Sequence, residues 1–291
     1  MGEIVAAAIF GHQPAIMAPD TMRKAMGGGV DTTLVTPGMK NLREALDAAR
    51  PDTFVIFDTH WFTTIDHVVA GAAHFRGVYT SDELPTLITD HAYDYPGAPE
   101  LAEALGAVAS ERGVRLTNMT NRNVAQHYPT LNVVHYLRRN EKVLSIGTCQ
   151  TAEPHNFLDL GACLADAVAR TPGARVALIG SGGMSHRFWP MDTILRHASF
   201  RPEDVILPEA AAIDRRILAL WHEGQHAAVI DLWSEYRAFH PEGSFAHYFT
   251  LVGAIGARDC KVPGRQLSDY ENAVGTGQVH VWFDVAGRTP S

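Results

Sequence analysis

Three short apolar runs in the chain each end on a histidine. Ile4–Phe10 is followed by Gly11 and His12, Phe54–Phe57 by Asp58, Thr59 and His60, and Val176–Ile179 by a glycine-rich turn that closes on His186. A neutral imidazole is a ligand for first-row metals, and its titration near neutrality also suits it to proton transfer. In open α/β sheets, ligands and catalytic groups collect at the carboxyl ends of parallel strands. If the three runs are neighbouring strands, their histidines meet in one crevice. The chemistry expected is a metal centre with an adjacent catalytic base.

Two imidazoles leave a third ligand to be found. His240-Pro241-Glu242-Gly243 stands just before an apolar pattern, Phe245 to Ile255, at helical spacing. Glu242 there either favours a helix N-terminus electrostatically or serves as the third ligand. His12, His60 and Glu242 together would form the two-histidine, one-carboxylate face of non-haem Fe(II) oxygenases, with three positions left open. Zinc hydrolysis uses similar ligands and an activated water. Spacing alone does not separate the two.

The base is sought in Gly180-Ser181-Gly182-Gly183-Met184-Ser185-His186. A phosphate loop would end in Gly-Lys-Ser/Thr, which is missing. A nucleophile elbow would read Gly-x-Ser-x-Gly, which is missing too. What remains is a tight turn that aims His186 into a cleft as general acid or base. His127, in Gln126-His127-Tyr128-Pro129, is a second candidate; His155, His247 and His280 rank below it.

These groups need a frame. Strands are expected at Ile4–Phe10, Thr53–Phe57, His67–Gly71, Lys142–Gly147 and Arg175–Ile179. Arg115–Val124 is polar and reads as loop or edge strand, and Gln278–Phe283 alternates like a late edge strand. Helical spacing marks Met39–Ala49 (closed by Pro51), Leu101–Val108 after Pro99, Tyr128–Leu137, Phe157–Val168, Ile213–Trp221 and Phe245–Ile255. The first two strands and the helix between them have the size of a βαβ unit. Gly27–Gly29 marks a loop, and residues 188–208, with three prolines, read as a long excursion beside His186. Strands alternate with helices, so the class is α/β: one domain over residues 1–291, with a largely parallel central sheet flanked by helices and the metal site at the strand C-terminal ends.

Composition narrows the partners. The 291 residues are 46% hydrophobic and 19% charged, with a net charge of −8. That charge and the absence of any Lys/Arg block argue against nucleic acid, while a small anionic substrate stays compatible. Cys149, Cys163 and Cys260 are widely spaced and form no Cys-x-x-Cys, which fits a reducing cytoplasm. The first residues lack a basic region and cleavage site, position 6 is Ala where myristoylation favours Ser or Thr, and no run of about 18 apolar residues exists. A cytoplasmic protein that does not engage a membrane is expected.

At these residues the chain resembles the class III extradiol ring-cleaving dioxygenases, the superfamily of protocatechuate 4,5-dioxygenase catalytic subunits. The likeness runs from about residue 3 to residue 284, anchored by Gly11-His12-Gln13-Pro14, Phe57–Trp61, Gly180–His186 and the Glu242 segment. Within it, Gly77–Pro85, Tyr93–Tyr95 through Leu101, and Gly275–Val279 look most like members acting on 3,4-dihydroxyphenylacetate. The resemblance implies Fe(II) held by His12, His60 and Glu242, His186 as base, and His127 as a second acid/base or oxygen-stabilising group. A catechol would fill two iron positions and O2 the third, giving a ring-opened semialdehyde. Members specific for 3,4-dihydroxyphenylacetate tend to carry Tyr at the position of His127, so the resemblance leaves the catechol side chain open; another catechol, an aminophenol or a methylgallate is the alternative, and a zinc metallohydrolase or a non-enzymatic binding protein on the same fold a more distant one. Residues 188–208 and Gly275–Val279 are candidates for holding that side chain. The resemblance also implies a homodimer or homotetramer.

Overall fold

The computed structural model describes residues 1–17, 33–197 and 201–285; the expected loop at Gly27–Gly29 lies outside them. The chain runs through β1 (Glu3–Phe10), α1 (Met39–Ala49), β2 (Thr53–Thr63), β3 (His67–Ala70), β4 (His74–Tyr79), β5 (His91–Pro96), α2 (Pro99–Glu111) and β6 (Leu116–Met119). It continues through α3 (Tyr128–Tyr136), β7 (Lys142–Cys149), α4 (Pro154–Arg170), β8 (Arg175–Ser181), α5 (Pro208–His222), α6 (His226–Asp231) and α7 (Ala246–Ala254). Four short strands follow: β9 (Gly264–Gln266), β10 (Glu271–Ala273), β11 (Thr276–Gln278) and β12 (Val281–Phe283).

Eight strands form one sheet in the order β6-β3-β7-β2-β8-β1-β12-β9. The centre is parallel: β7 with β2, β2 with β8, and β8 with β1. β3 meets β7 antiparallel, as β12 does both β1 and β9. Successive side chains point to opposite faces of a strand. In β1, β2 and β8, Ala7, Ile9, Val55, Phe57, Val176 and Leu178 therefore join a core with α2, α4, α5 and α7. Their neighbours Ala8, Phe10, Phe54, Ile56, Ala177 and Ile179 join a second core with α1 and α3. Covering both faces is why these strands read as unbroken apolar runs. Each fully buried Ile, Leu or Phe contributes about 1.5–3 kcal/mol to holding the layers together.

The segment β1–α1–β2 has the expected βαβ size, with its two strands parallel and β8 between them. Periodicity reports which face a residue takes and says nothing about its neighbour. Gln278–Phe283 is not one edge strand. Thr276–Gln278 forms a separate hairpin with β10, while Val281–Phe283 lies between β1 and β9. His280 divides them: its backbone N–H donates to Ser268 Oγ and its ring bonds Gly11 and Leu34. The hairpin β4–β5 was not foreseen, because only Phe75 and Tyr95 of its residues are fully buried, against the α1/α3 face. Among the described residues no helix is long and apolar enough to cross a membrane.

Candidate active site

The three central strands end level with one another: Phe10 of β1 and Asp58 of β2 both pair with Ser181 of β8. His12 lies two residues beyond β1. His60 leaves the ladder in a bulge, for β2 pairs Asp58 with Gly147 and next Phe62 with Thr148 of β7, so residues 59–61 are extruded. Bulges re-aim side chains in this way. Glu242 enters from the turn before α7. The ligand atoms of His12, His60 and Glu242 lie within 4.8 Å of one another. One Glu242 oxygen, Oε1, is 2.7 Å from His12 Nε2 and 2.9 Å from His60 Nε2. The same oxygen accepts the Thr59 hydroxyl at 2.9 Å, and Oε2 accepts the Gly183 N–H. A Cβ at Gly183 would stand 3.0 Å from Oε2 and 2.4 Å from Gln278 Nε2, so a side chain there must push both groups aside.

Each candidate ligand is held by polar groups behind it. Ser181 Oγ donates to the Pro129 carbonyl at 2.8 Å and lies 3.1 Å from His12 Nδ1. With its own proton committed, Ser181 can only accept from Nδ1–H, which leaves the Nε2 lone pair facing the cluster. The Gly11 N–H donates to His280 Nδ1 at 3.1 Å, and the other His280 nitrogen donates to the Leu34 carbonyl at 2.9 Å. Burial pushes the His280 imidazole down to about 4, so it stays neutral. The Asp58 carboxylate holds the bulge: Oδ1 accepts the N–H groups of His60 and Trp61 at 2.9 and 3.0 Å. Its Oδ2 accepts the N–H and hydroxyl of Thr130 at 3.1 and 2.6 Å, tying the bulge to the first turn of α3.

The Glu242 turn is strained. Gly243, Ser244 and Phe245 have φ of 54°, 55° and 59°, and His240 has 48°. Left-handed backbone costs a non-glycine residue roughly 1–2 kcal/mol, a cost often met at ligand loops. Glu242 does not cap α7: its carboxylate faces the imidazoles, and that helix begins without a side-chain cap.

Electrostatics agree with a cation site. Burial alone would raise the Glu242 pKa, but His12, His60 and His186 outweigh it and hold the carboxyl well below its usual range. Burial works to lower the His60 pKa, yet the hydrogen bond and charge of Glu242 raise it above the ordinary 6.5. An ionised carboxylate and two imidazole nitrogens converging on one point, one with its tautomer preset, fit a divalent ion of intermediate softness.

His186 is carried on a short segment clamped by the β10–β11 hairpin. Met184 N–H donates to Gly277 O at 2.8 Å, Gly277 N–H to Ser185 O at 2.9 Å, and His186 bridges to Thr276. Behind it, the buried Asp214 carboxylate accepts the Ser185 N–H and hydroxyl and the hydroxyls of Tyr236 and Tyr270. His186 Nδ1 is buried and has no hydrogen-bond partner among the described residues. Burial, opposed by the Glu242 charge, lowers its pKa below 6.5, so the ring is neutral at pH 7 and can take a proton. The same segment is tied to the Glu242 turn, whose Glu242 N–H donates to the Met184 carbonyl at 3.1 Å.

The other candidates separate. His127 is half-buried, with extended backbone, just before α3. The residue beside it, Tyr128, reaches the cluster: its hydroxyl is 3.0 Å from His60 Nε2. Burial, with Glu242 and Glu83 next, pushes that phenol well above 10. His155 is exposed, and His247 is buried under the glycine turn. Sequence reasoning missed Tyr128, Asp58, Ser181 and Asp214. Asp58 and Ser181 sat inside the quoted motifs, whereas nothing near Asp214 in sequence marks it.

Comparison with known proteins gives the following. Residues 6–283 match the family model described as the catalytic LigB subunit of aromatic ring-opening dioxygenase. The chain is 30% identical to a 3,4-dihydroxyphenylacetate 2,3-dioxygenase from Escherichia coli over 265 residues, covering 88% of this chain and 91% of that protein. It is 23% identical over 257 residues to the alpha subunit of a 2-aminophenol 1,6-dioxygenase from a Pseudomonas species, covering 85% of this chain and 89% of that one. The crystal structure of an uncharacterized Escherichia coli K12 protein superposes with a TM-score of 0.62 at 18% identity, over 96% of this chain and 99% of the other; that likeness concerns the fold.

Proposed function

We propose that this chain, which belongs to the LigB family of catalytic subunits of aromatic ring-opening dioxygenases, uses Fe(II) to cleave a catechol with O2. The substrate proposed is 3,4-dihydroxyphenylacetate or a related diol, and the product a ring-opened semialdehyde. The observation that carries the reading is the convergence of His12, His60 and Glu242 on one point at the ends of β1 and β2. The relative acting on 3,4-dihydroxyphenylacetate supports the substrate class. The aminophenol relative supports the alternative, the same chemistry on an aminophenol.

His12, His60 and Glu242 would hold the iron, which when bound supplies the redox coupling between a singlet aromatic diol and triplet O2. Bringing the reactants to one centre removes most of the entropy cost of their meeting. His186, neutral and with a free Nδ1, would accept a diol proton and leave the ring electron-rich. The β10–β11 hairpin and Asp214 keep its segment in place while the proton moves. Thr59 and the Gly183 N–H orient the Glu242 carboxylate. His127 is proposed as the second acid/base or oxygen-stabilising group. One domain, a homodimer or homotetramer, and a reducing cytoplasm complete the reading; the three cysteines are buried.

The test is anaerobic reconstitution with Fe(II), followed by 3,4-dihydroxyphenylacetate and air. A yellow product with O2 consumed mole for mole is expected. No colour and no uptake, with iron verified in the protein, would reject that substrate, and failure across catechols and aminophenols would reject the reaction. His186→Phe should keep its iron and lose turnover; a full rate would remove His186 from the mechanism.

A further inference from the structure

His60 Nε2 has two claimants and one valence direction. Glu242 Oε1 lies 2.9 Å from it and the Tyr128 hydroxyl 3.0 Å. If Nε2 carries a proton, that proton is directed to the carboxylate. If it is unprotonated, its single lone pair is the one the metal would take. In neither state can it also accept the phenol proton. No other hydrogen bond of the Tyr128 hydroxyl is found among the described residues. The side chain is nonetheless 4% exposed, with its ring 4.5 Å from that of His60 and 5.0 Å from that of His12. A buried O–H without an acceptor is costly, and this one stands against the cluster. Pro129 at the second position of α3 and Thr130 bonded to Asp58 fix the backbone that carries it.

We infer that Tyr128 donates a hydrogen bond to a substrate oxygen, the diol oxyanion seated on the His60 side of the centre, and so favours aromatic diols over aminophenols. This rests on reading His12, His60 and Glu242 as the metal centre. An oxyanion is a strong acceptor for a neutral O–H. The amino group of an aminophenol offers one weak lone pair and two donors of its own, so the same phenol rewards the diol more. The role differs from that of the neighbouring His127, whose ring makes no hydrogen bond among the described residues.

The test compares the Fe(II)-loaded parent with Tyr128→Phe under anaerobic conditions, titrating 4-nitrocatechol, whose visible absorption reports its ionisation. Loss of a hydrogen bond to a charged oxygen should weaken binding about 10- to 100-fold and shift the absorption towards a less ionised catechol. Iron content should match the parent. In air, the preference in kcat/KM for 3,4-dihydroxyphenylacetate over 2-aminophenol should fall by about tenfold. Unchanged affinity and spectrum in the variant would overturn the inference. So would loss of iron, which would make the phenol a support of the metal site, or the same spectral change appearing in His127→Phe and not in Tyr128→Phe. A parent that holds Fe(II) yet gives no spectral change with 4-nitrocatechol would instead defeat the dioxygenase reading, and the role of Tyr128 with it.

Discussion

Replacing Asp214 with Asn removes a negative charge buried among neutral donors. The carboxylate is 0% exposed. It is surrounded by the Ser185 N–H at 3.1 Å, the Ser185 hydroxyl at 2.6 Å, the Tyr236 hydroxyl at 2.8 Å and the Tyr270 hydroxyl at 2.7 Å. Burial raises its pKa from 3.8 to about 6, with the hydrogen bonds from Ser185, Tyr270 and Tyr236 opposing the rise. Between those values the folded protein binds more protons than the unfolded chain. The contribution of this group to stability is therefore complete below pH 3.8 and is lost as pH rises through about 6. At about 1.4 kcal/mol per pH unit, the loss is about 3 kcal/mol. Asn does not titrate, so the variant escapes it. The Asn amide instead brings two donors into a ring of donors, a penalty of about 1–3 kcal/mol for each group left unpaired, independent of pH. Urea unfolding of both proteins at a series of values from pH 4 to pH 7, extrapolated linearly to water, isolates the titrating part. The stability of the variant relative to the parent should rise by about 2–3 kcal/mol across that range, whatever the constant offset. Parallel curves would show that the four donors compensate burial fully and that Asp214 stays ionised throughout, refuting the reasoning.

Ser181→Ala removes the acceptor that fixes the His12 ring, so Fe(II) affinity should fall about 10- to 100-fold in an anaerobic chelator competition; an unchanged affinity would mean that another group sets the tautomer. Gly183→Ala places a methyl against Glu242 Oε2 and the Gln278 amide. The variant should lose about 1–3 kcal/mol in thermal or urea unfolding and bind less iron than the parent; a variant with normal iron would show that the turn can shift without moving Glu242.

Legibility followed the physics of each signal. β1, β2, β7 and β8 were readable because both their faces are covered, so burial writes a continuous apolar run. His12 and His60 were readable because each follows such a run directly. Glu242 was visible as a candidate, but a carboxylate before a helix has two explanations in sequence, and only its distances to two imidazoles separate them. Neighbour relations were not readable: nothing in β1 or β2 says that β8 comes between them. The polar supports were hidden for a similar reason. Asp214 acts on Ser185 across 29 positions of chain, through a contact that only the packing of α5 creates. Tyr128 stood in the sequence only as the first residue of an expected helix, and the placement of its hydroxyl against His60 is what distinguishes it.

β1 pairs with β8 on one side and β12 on the other, which has a consequence for how the protein is made. About 165 residues separate the end of β1 from the start of β8. At ~5–20 residues per second on the ribosome, the strand waits roughly ten to thirty seconds for its first neighbour. Through that interval a nascent apolar segment has open hydrogen-bonding edges, the kind of segment that chaperones exist to shield. On the proposed ligand set, the same delay governs metallation. His12 and His60 emerge early but cannot complete the three-ligand set until Glu242 has been added and the last strands have closed around β1. On that ligand set, a nascent chain that has not yet reached Glu242 lacks the complete centre.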